Sequence, residues 1–299
     1  MLDKRDWMSG RTLDRRTVLK AAVALTSGAW ATACRSEASA AESISQIRIG
    51  SCRIGLRDAK TAGLDGVEVN VGPAADTLAI ADPAVRQRYK DEMQQTGLVI
   101  SSFMMGLLNS NPLASDPRGP AWLEQCIDAA RDLGARVILV AFFGKGNLLD
   151  GDQLKQADVD IMVARLKAAA PRAQQAGVVL AIENTLSAQQ NIAILDRIGH
   201  ESVALYYDVG NSTRNGYDVP AEIRLLRNRI AMLHFKDGPN YLGQGDVKFK
   251  PVAAAIRDIG YRGWIVLETS SPSKDAVADA KRNADYIREL LGIGASRSP

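Results

Sequence analysis

The sequence predicts one α/β domain, a (β/α)8 barrel, and three observations lead there. Eight short β-branched or apolar runs recur between residues 47 and 270. Most gaps between them carry helix start and stop signals. The series spans about 250 residues, the usual size of such a barrel. Strands that alternate with helices pair in parallel. The rival is an open doubly wound sheet, whose nucleotide-binding forms carry a G-x-G-x-x-G turn after the first strand. "GSCRIGL" (50–56) has no such turn.

In order, the expected strands are "IRIGSC" (47–52), "GVEVNV" (66–71), "LVISSFMMG" (98–106) and "RVILVAFFG" (136–144), then "VVLAIEN" (178–184), "VALYYDVGN" (203–211), "IAMLHFKD" (230–237) and "WIVLETS" (264–270). The first gap, "LRDAKTAG", leaves room for only a short helix. The second has Asp82 as N-cap, Pro83 at the first helical position and Gly97 as the stop. Later helices end at Gly134, Gly199 and Gly260. Asp246 reads as the cap of the seventh. Pro171 inside 152–177 predicts a kink or break. The last helix covers 274–291. The barrel domain is thus 46–292, with 293–299 as a tail.

The N-terminus reads differently. "DRRTVLK" (14–20) has an arginine pair, Arg15 and Arg16, ahead of the mildly apolar "AAVALTSGAWATAC". That run is too short and too rich in Ala, Ser, Thr and Gly for a membrane span, which needs about 20 apolar residues. Residues 1–34 resemble a twin-arginine export signal. "ATAC" is similar to a lipoprotein cleavage box, which would make Cys34 a lipid-anchored first residue; cleavage after "ASA" (38–40) or "SAA" (39–41) is the alternative. Residues 35–45 form a polar tether. The expected location is the periplasm, free or anchored to the membrane.

The formal net charge of +3 comes from this end: residues 1–34 hold six of the 37 basic residues and three of the 34 acidic ones, so the rest is balanced. Nucleic acid is therefore no expected partner. Beyond Cys34 the cysteines are Cys52 and Cys126, expected as free thiols.

In a barrel of this kind the functional rim is the C-terminal end of the strands. There the sequence places Glu68 on strand two, Glu183 on five, Asp208 on six, His234 on seven and Glu268 on eight. Each interrupts an apolar run. A lone strand-end histidine is ordinarily a hydrogen-bonded core residue, but three carboxylates and an imidazole on four successive strands converge on one spot. Burying such charges unpaired costs several kcal/mol each, and a divalent cation relieves that. The O3N set of Glu183, Asp208, His234 and Glu268 suits one Mn2+, Mg2+, Co2+ or Zn2+ ion. His200 falls on the opposite rim and reads as structural.

These residues, with "GLDGVEVNVG", "LAIENT", "YYDVGNS", "LHFKDG", "LGQGDVKF" and "GYRGWIVLETS", resemble the xylose isomerase-like TIM barrels, which include sugar phosphate isomerases and epimerases. The resemblance covers 46–292. It implies metal ligation by Glu183, Asp208, His234 and Glu268, with manganese first among the metals, and an acid–base pair of Glu183 and Glu268. It also implies proton abstraction beside a metal-bound carbonyl, through an enediolate, on a sugar or keto-sugar. Two departures stand out: Asn211 occupies the place of a substrate-contacting histidine, and the second glutamate after Glu183 is missing, with only Gln189 and Gln190 nearby. The family's DNA-repair endonucleases, rich in histidine, match poorly.

Lys236 shares the face of His234 and is expected either at the substrate oxygens or in a surface pair with Asp237 or Asp246. Glu68 and Asn211 are expected at substrate hydroxyls, and Lys145 more weakly, on a mobile "GKG" loop. Export favours an unphosphorylated sugar. Two alternatives stay open: a lyase, dehydratase or hydrolase acting on 3-keto-sugars or keto-glycosides, and a non-catalytic sugar-binding lipoprotein. Oligomeric state is open as well.

Overall fold

The structure is a computed structural model and describes residues 46–294. The export signal, Cys34, the tether at 35–45 and the tail beyond 294 lie outside the described residues.

Eight parallel strands close into a barrel: β1 (Arg48–Ser51), β2 (Gly66–Asn70), β3 (Val99–Met105), β4 (Val137–Ala141), β5 (Val179–Glu183), β6 (Val203–Asp208), β7 (Ile230–Phe235) and β8 (Trp264–Leu267). They follow chain order, and β8 pairs with β1 to close the ring. All eight match expected runs. A two-stranded hairpin, Leu149–Asp150 with Gln153–Leu154, stands after β4 and was not visible in the sequence.

The helices α1 (Leu56–Thr61), α2 (Pro83–Thr96), α3 (Gly119–Leu133), α4 (Gln156–Ala176) and α5 (Ala188–Ile198) fill the first five gaps. The sixth holds α6 (Val209–Arg214) and α7 (Val219–Leu226); α8 (Phe249–Asp258) and α9 (Ala276–Leu291) complete the ring. Asp82 caps α2 as expected, accepting from the Ala84 amide at 2.8 Å. Helix α4 runs through Pro171 without a break. Pro171 and Lys167, whose carbonyl loses its partner, are both exposed, so the gap in the hydrogen-bond ladder falls on the solvent side of the helix.

Asp246 does not cap α8. That helix starts at Phe249 with no side-chain cap, and Asp246 is exposed. Asp237 does the anchoring instead. Its buried carboxylate accepts from the amides of Gly243, Gly245 and Val247 at 3.0, 2.8 and 3.0 Å, pinning the loop between β7 and α8. His200, as expected, sits on the opposite rim and accepts from the Ser202 amide at 3.2 Å.

Strand alternation divides the core. Val137, Leu139, Ala141, Ala181, Tyr206, Met232 and Val266 form a separate apolar cluster from one strand face, the barrel interior. The other face packs against the helices, where Trp122 of α3 is fully buried and donates its indole N–H to the Ala75 carbonyl at 2.7 Å. Filling the interior makes the barrel a plug, with the strand-end polar groups gathered above it.

Candidate active site

The same alternation builds the site. Two residues before each polar group stands an interior apolar one: Ala181 before Glu183, Tyr206 before Asp208, Met232 before His234, Val266 before Glu268. Residues two apart share a strand face, so the four groups sit directly above the plug at the C-terminal mouth. Asp208 and His234 are register partners across β6 and β7. One donor atom from each of Glu183, Asp208, His234 and Glu268 lies within 4.8 Å of the others.

His234 is the hub. Its Nδ1 lies 3.1 Å from Glu183 Oε1 and 3.7 Å from Glu268 Oε2, while Nε2 lies 3.0 Å from Glu68 Oε1. The Tyr206 ring packs on the imidazole, with centroids 4.4 Å apart. Glu68 takes its second hydrogen bond from Ser102 Oγ at 2.7 Å, and the two are register partners. The Glu68 side chain has 0% exposure. It therefore does not reach the substrate space expected for it. A carboxylate at Nε2 favours the Nε2–H tautomer, which leaves the Nδ1 lone pair facing the other three ligand candidates.

Lys236 belongs to the site and not to a surface pair. Its Nζ lies 2.7 Å from Asp208 Oδ2 and 2.6 Å from Glu268 Oε2. Asn211 lies at the start of α6, which Asp208 caps: the Asn211 amide N–H and Nδ2 donate to Asp208 at 2.8 and 3.0 Å. Its Oδ1 accepts from Arg214 at 2.9 Å. Gly210 is needed here, because a Cβ would fall 2.9 Å from the Lys236 carbonyl oxygen and collide with the Lys236 side chain. "DVGN" is thus a tight strand-to-helix turn under Lys236.

A cavity of about 260 Å³ opens above these groups, bordered by Glu183, Asn211, Lys236 and Glu268. Arg214, Asn109 and Phe143 also line it, and sequence reasoning missed all three. Arg214 lies three residues past Asn211, one helical turn on, and that spacing was the available signal. Lys145 is exposed and does not border the cavity. Its flanking glycines serve packing: a Cβ on Gly144 or Gly146 would meet the carbonyls of Asn109 or Leu108 at 2.8 and 2.9 Å.

Charge decides what the site can hold. Among the described residues Glu68, Glu183, Asp208 and Glu268 form ion pairs only with His234 and Lys236, so four carboxylates share two directly paired cationic groups, with Arg53 adding a weaker pull on Glu268. Burial raises the Glu183 carboxyl to about 7. Burial opposes a charge on His234, but Glu183 and Glu68 pull its proton affinity well above the ordinary range. For Glu268 burial is outweighed by His234 and Lys236, which hold it below the usual carboxylate value. A divalent cation would supply the missing charge, and three carboxylates with one imidazole form a suitable donor set. These residues fit such an ion. A second grouping, Cys52 with Glu68 and His234, is less suited: Cys52 is pushed up to about 12 by burial and donates to the Leu267 carbonyl.

Comparison with known proteins agrees with this architecture. Residues 56–290 match the family model described as xylose isomerase-like TIM barrel. The L-ribulose-5-phosphate 3-epimerase of Salmonella paratyphi C is 27% identical over 257 residues, which cover 79% of this chain and 88% of that protein. An L-ribulose 3-epimerase structure superposes with a TM-score of 0.69 at 23% identity, covering 82% of this chain and 95% of that one. A xylose isomerase-like barrel from Mycobacterium smegmatis, solved with magnesium, superposes at 0.64 with 19% identity, covering 79% and 86%.

Proposed function

Since the chain belongs to the xylose isomerase-like TIM barrel family, we propose that it is a divalent-metal-dependent isomerase or epimerase of sugars or keto-sugars. The observation that carries this is the cluster of Glu183, Asp208, His234 and Glu268 at the foot of an open cavity. A divalent ion held there would supply the charge that acidifies a carbon next to a sugar carbonyl. Glu183 and Glu268 bracket the cluster from β5 and β8, with β6 and β7 between them. Glu183, raised toward neutrality by burial, suits taking a proton near pH 7. Glu268 faces the same space as the second member of the pair, and the Lys236 ammonium hydrogen-bonded to its carboxylate holds the proton that Glu268 would pass on. Arg214 and Asn109 orient hydroxyls at the wall.

The test is metal content followed by exchange. Full-length protein supplied with Mn2+, Mg2+, Co2+ or Zn2+ is expected to retain about one ion per chain. It is then expected to place solvent deuterium beside the carbonyl of L-ribulose or its 5-phosphate with no change in carbon skeleton. Neither metal nor exchange would sink the enzyme reading and leave a sugar-binding protein. A product lighter by water would make it a lyase.

The proposal includes export through the twin-arginine route, supported by Arg15, Arg16 and the run that ends at Cys34. Replacing both arginines with lysine should keep the protein in the cytoplasm, read by cell fractionation. Unchanged partitioning would remove the export reading.

A further inference from the structure

A large concavity lies at the other end of the barrel. It encloses about 930 Å³ around the N-terminal ends of β1, β3 and β8. Three exposed arginines stand there: Arg48 opens β1, Arg136 directly precedes β4 and Arg262 lies two residues before β8. None of the three forms an ion pair among the described residues. Arg288 and Lys60 add cationic lining. Arg288 is committed to the Gly63 carbonyl and to Asp285. The one carboxylate in the lining, Asp65, accepts from the Ile49 amide at 2.7 Å.

Apolar groups lie among these cations. Trp264 is half-buried, its ring resting on Gly66, where a Cβ would fall 2.9 Å from a ring carbon. The Arg48 guanidinium sits 5.5 Å from the centre of that ring. Val99 is 38% exposed. Arginine, tryptophan and an aliphatic side chain on one open face is a composition suited to a lipid–water interface, where long cationic stems and indole rings bridge apolar and wet layers.

We propose that this rim is a membrane-facing surface that seats the barrel on a bilayer containing anionic phospholipid. The site rim, at the opposite strand ends, is then turned away from the lipid. Two further observations favour lipid over a free anion. The arginines are spread around an open basin at separate strand starts, which fits an array of headgroups better than one small ligand. The chain also enters the barrel at Gln46, within this basin. The 45 preceding residues, Cys34 among them, therefore join at this rim. An extended tether of residues 35–45 reaches at most about 40 Å, so a chain anchored at Cys34 would hold this face close to the membrane. The anchor rests on the export reading; the charged surface does not.

The test uses full-length protein carrying Cys34→Ser, which cannot be acylated, sedimented with phosphatidylcholine vesicles with or without phosphatidylglycerol. At about 0.1 M salt the protein is expected on the anionic vesicles only, and added salt should release it. Each arginine near such a surface is worth about fivefold in partitioning, so R48Q/R136Q/R262Q should lose on the order of 100-fold. Sugar turnover should be unchanged in that variant, which shows that it is folded. No binding to anionic vesicles, equal binding to both lipids, or full binding by the triple variant would overturn the proposal. Displacement by millimolar inorganic phosphate would assign the basin to a free anion and overturn it as well.

Discussion

Glu183→Gln is expected to lower solvent-deuterium exchange into the sugar by about 10³-fold, within the range that general acid–base groups contribute. The amide keeps an oxygen for the cation but cannot take a proton. The measurement belongs at saturating metal, so that weakened ligation is not mistaken for lost chemistry. Glu268→Gln separates the two carboxylates. If Glu183 removes the proton from one face and Glu268 delivers it on the other, this variant still exchanges the hydrogen that faces Glu183 but no longer inverts the carbon. Lys236 makes the contrast sharper, since its ammonium at 2.6 Å is the proton source beside Glu268, while Glu183 faces the His234 imidazole at 3.1 Å. Exchange in Glu183→Gln within tenfold of the parent would remove Glu183 as the base.

The barrel was legible because both periodicities that define it are local. Eight runs with helix signals between them need no long-range information, and all eight strands formed where the runs are. The clustering of the four polar groups was legible for a related reason: alternation puts Glu183, Asp208, His234 and Glu268 one step above the interior residues Ala181, Tyr206, Met232 and Val266. What failed depended on which partner each side chain meets in the fold. Glu68 looked like a rim residue, yet a register shift between Val67 and Glu68 aligns it with Ser102 and turns it under His234. Asp246 carried a good capping residue type, but the helix starts at Phe249 with Lys248 in the cap position, two residues beyond it, and Asp237 anchors the loop between. Arg214 was overlooked although its spacing from Asn211 pointed to it, because the two amide ends of Asn211 are engaged by Asp208 and by Arg214 itself.

The position of Glu68 leads to the second large effect. Glu68→Gln is expected to weaken divalent-metal affinity by 10–100-fold, the usual cost of losing a carboxylate behind a ligating histidine. A neutral amide at 3.0 Å from Nε2 no longer favours the Nε2–H tautomer, nor does it raise the basicity of Nδ1. His234→Ala removes the ligand itself and should cost more than Glu68→Gln, although the cavity wall is untouched. Both are read by competition with a chelator of known strength. The comparison also decides between two roles for Glu68. A residue that bound sugar hydroxyls would raise KM in Glu68→Gln and leave metal affinity alone. A residue that orients His234 shifts metal affinity and leaves KM near the parent value once metal is saturating. The complete burial of its side chain and its hydrogen bonds to His234 and Ser102 commit it to the second outcome.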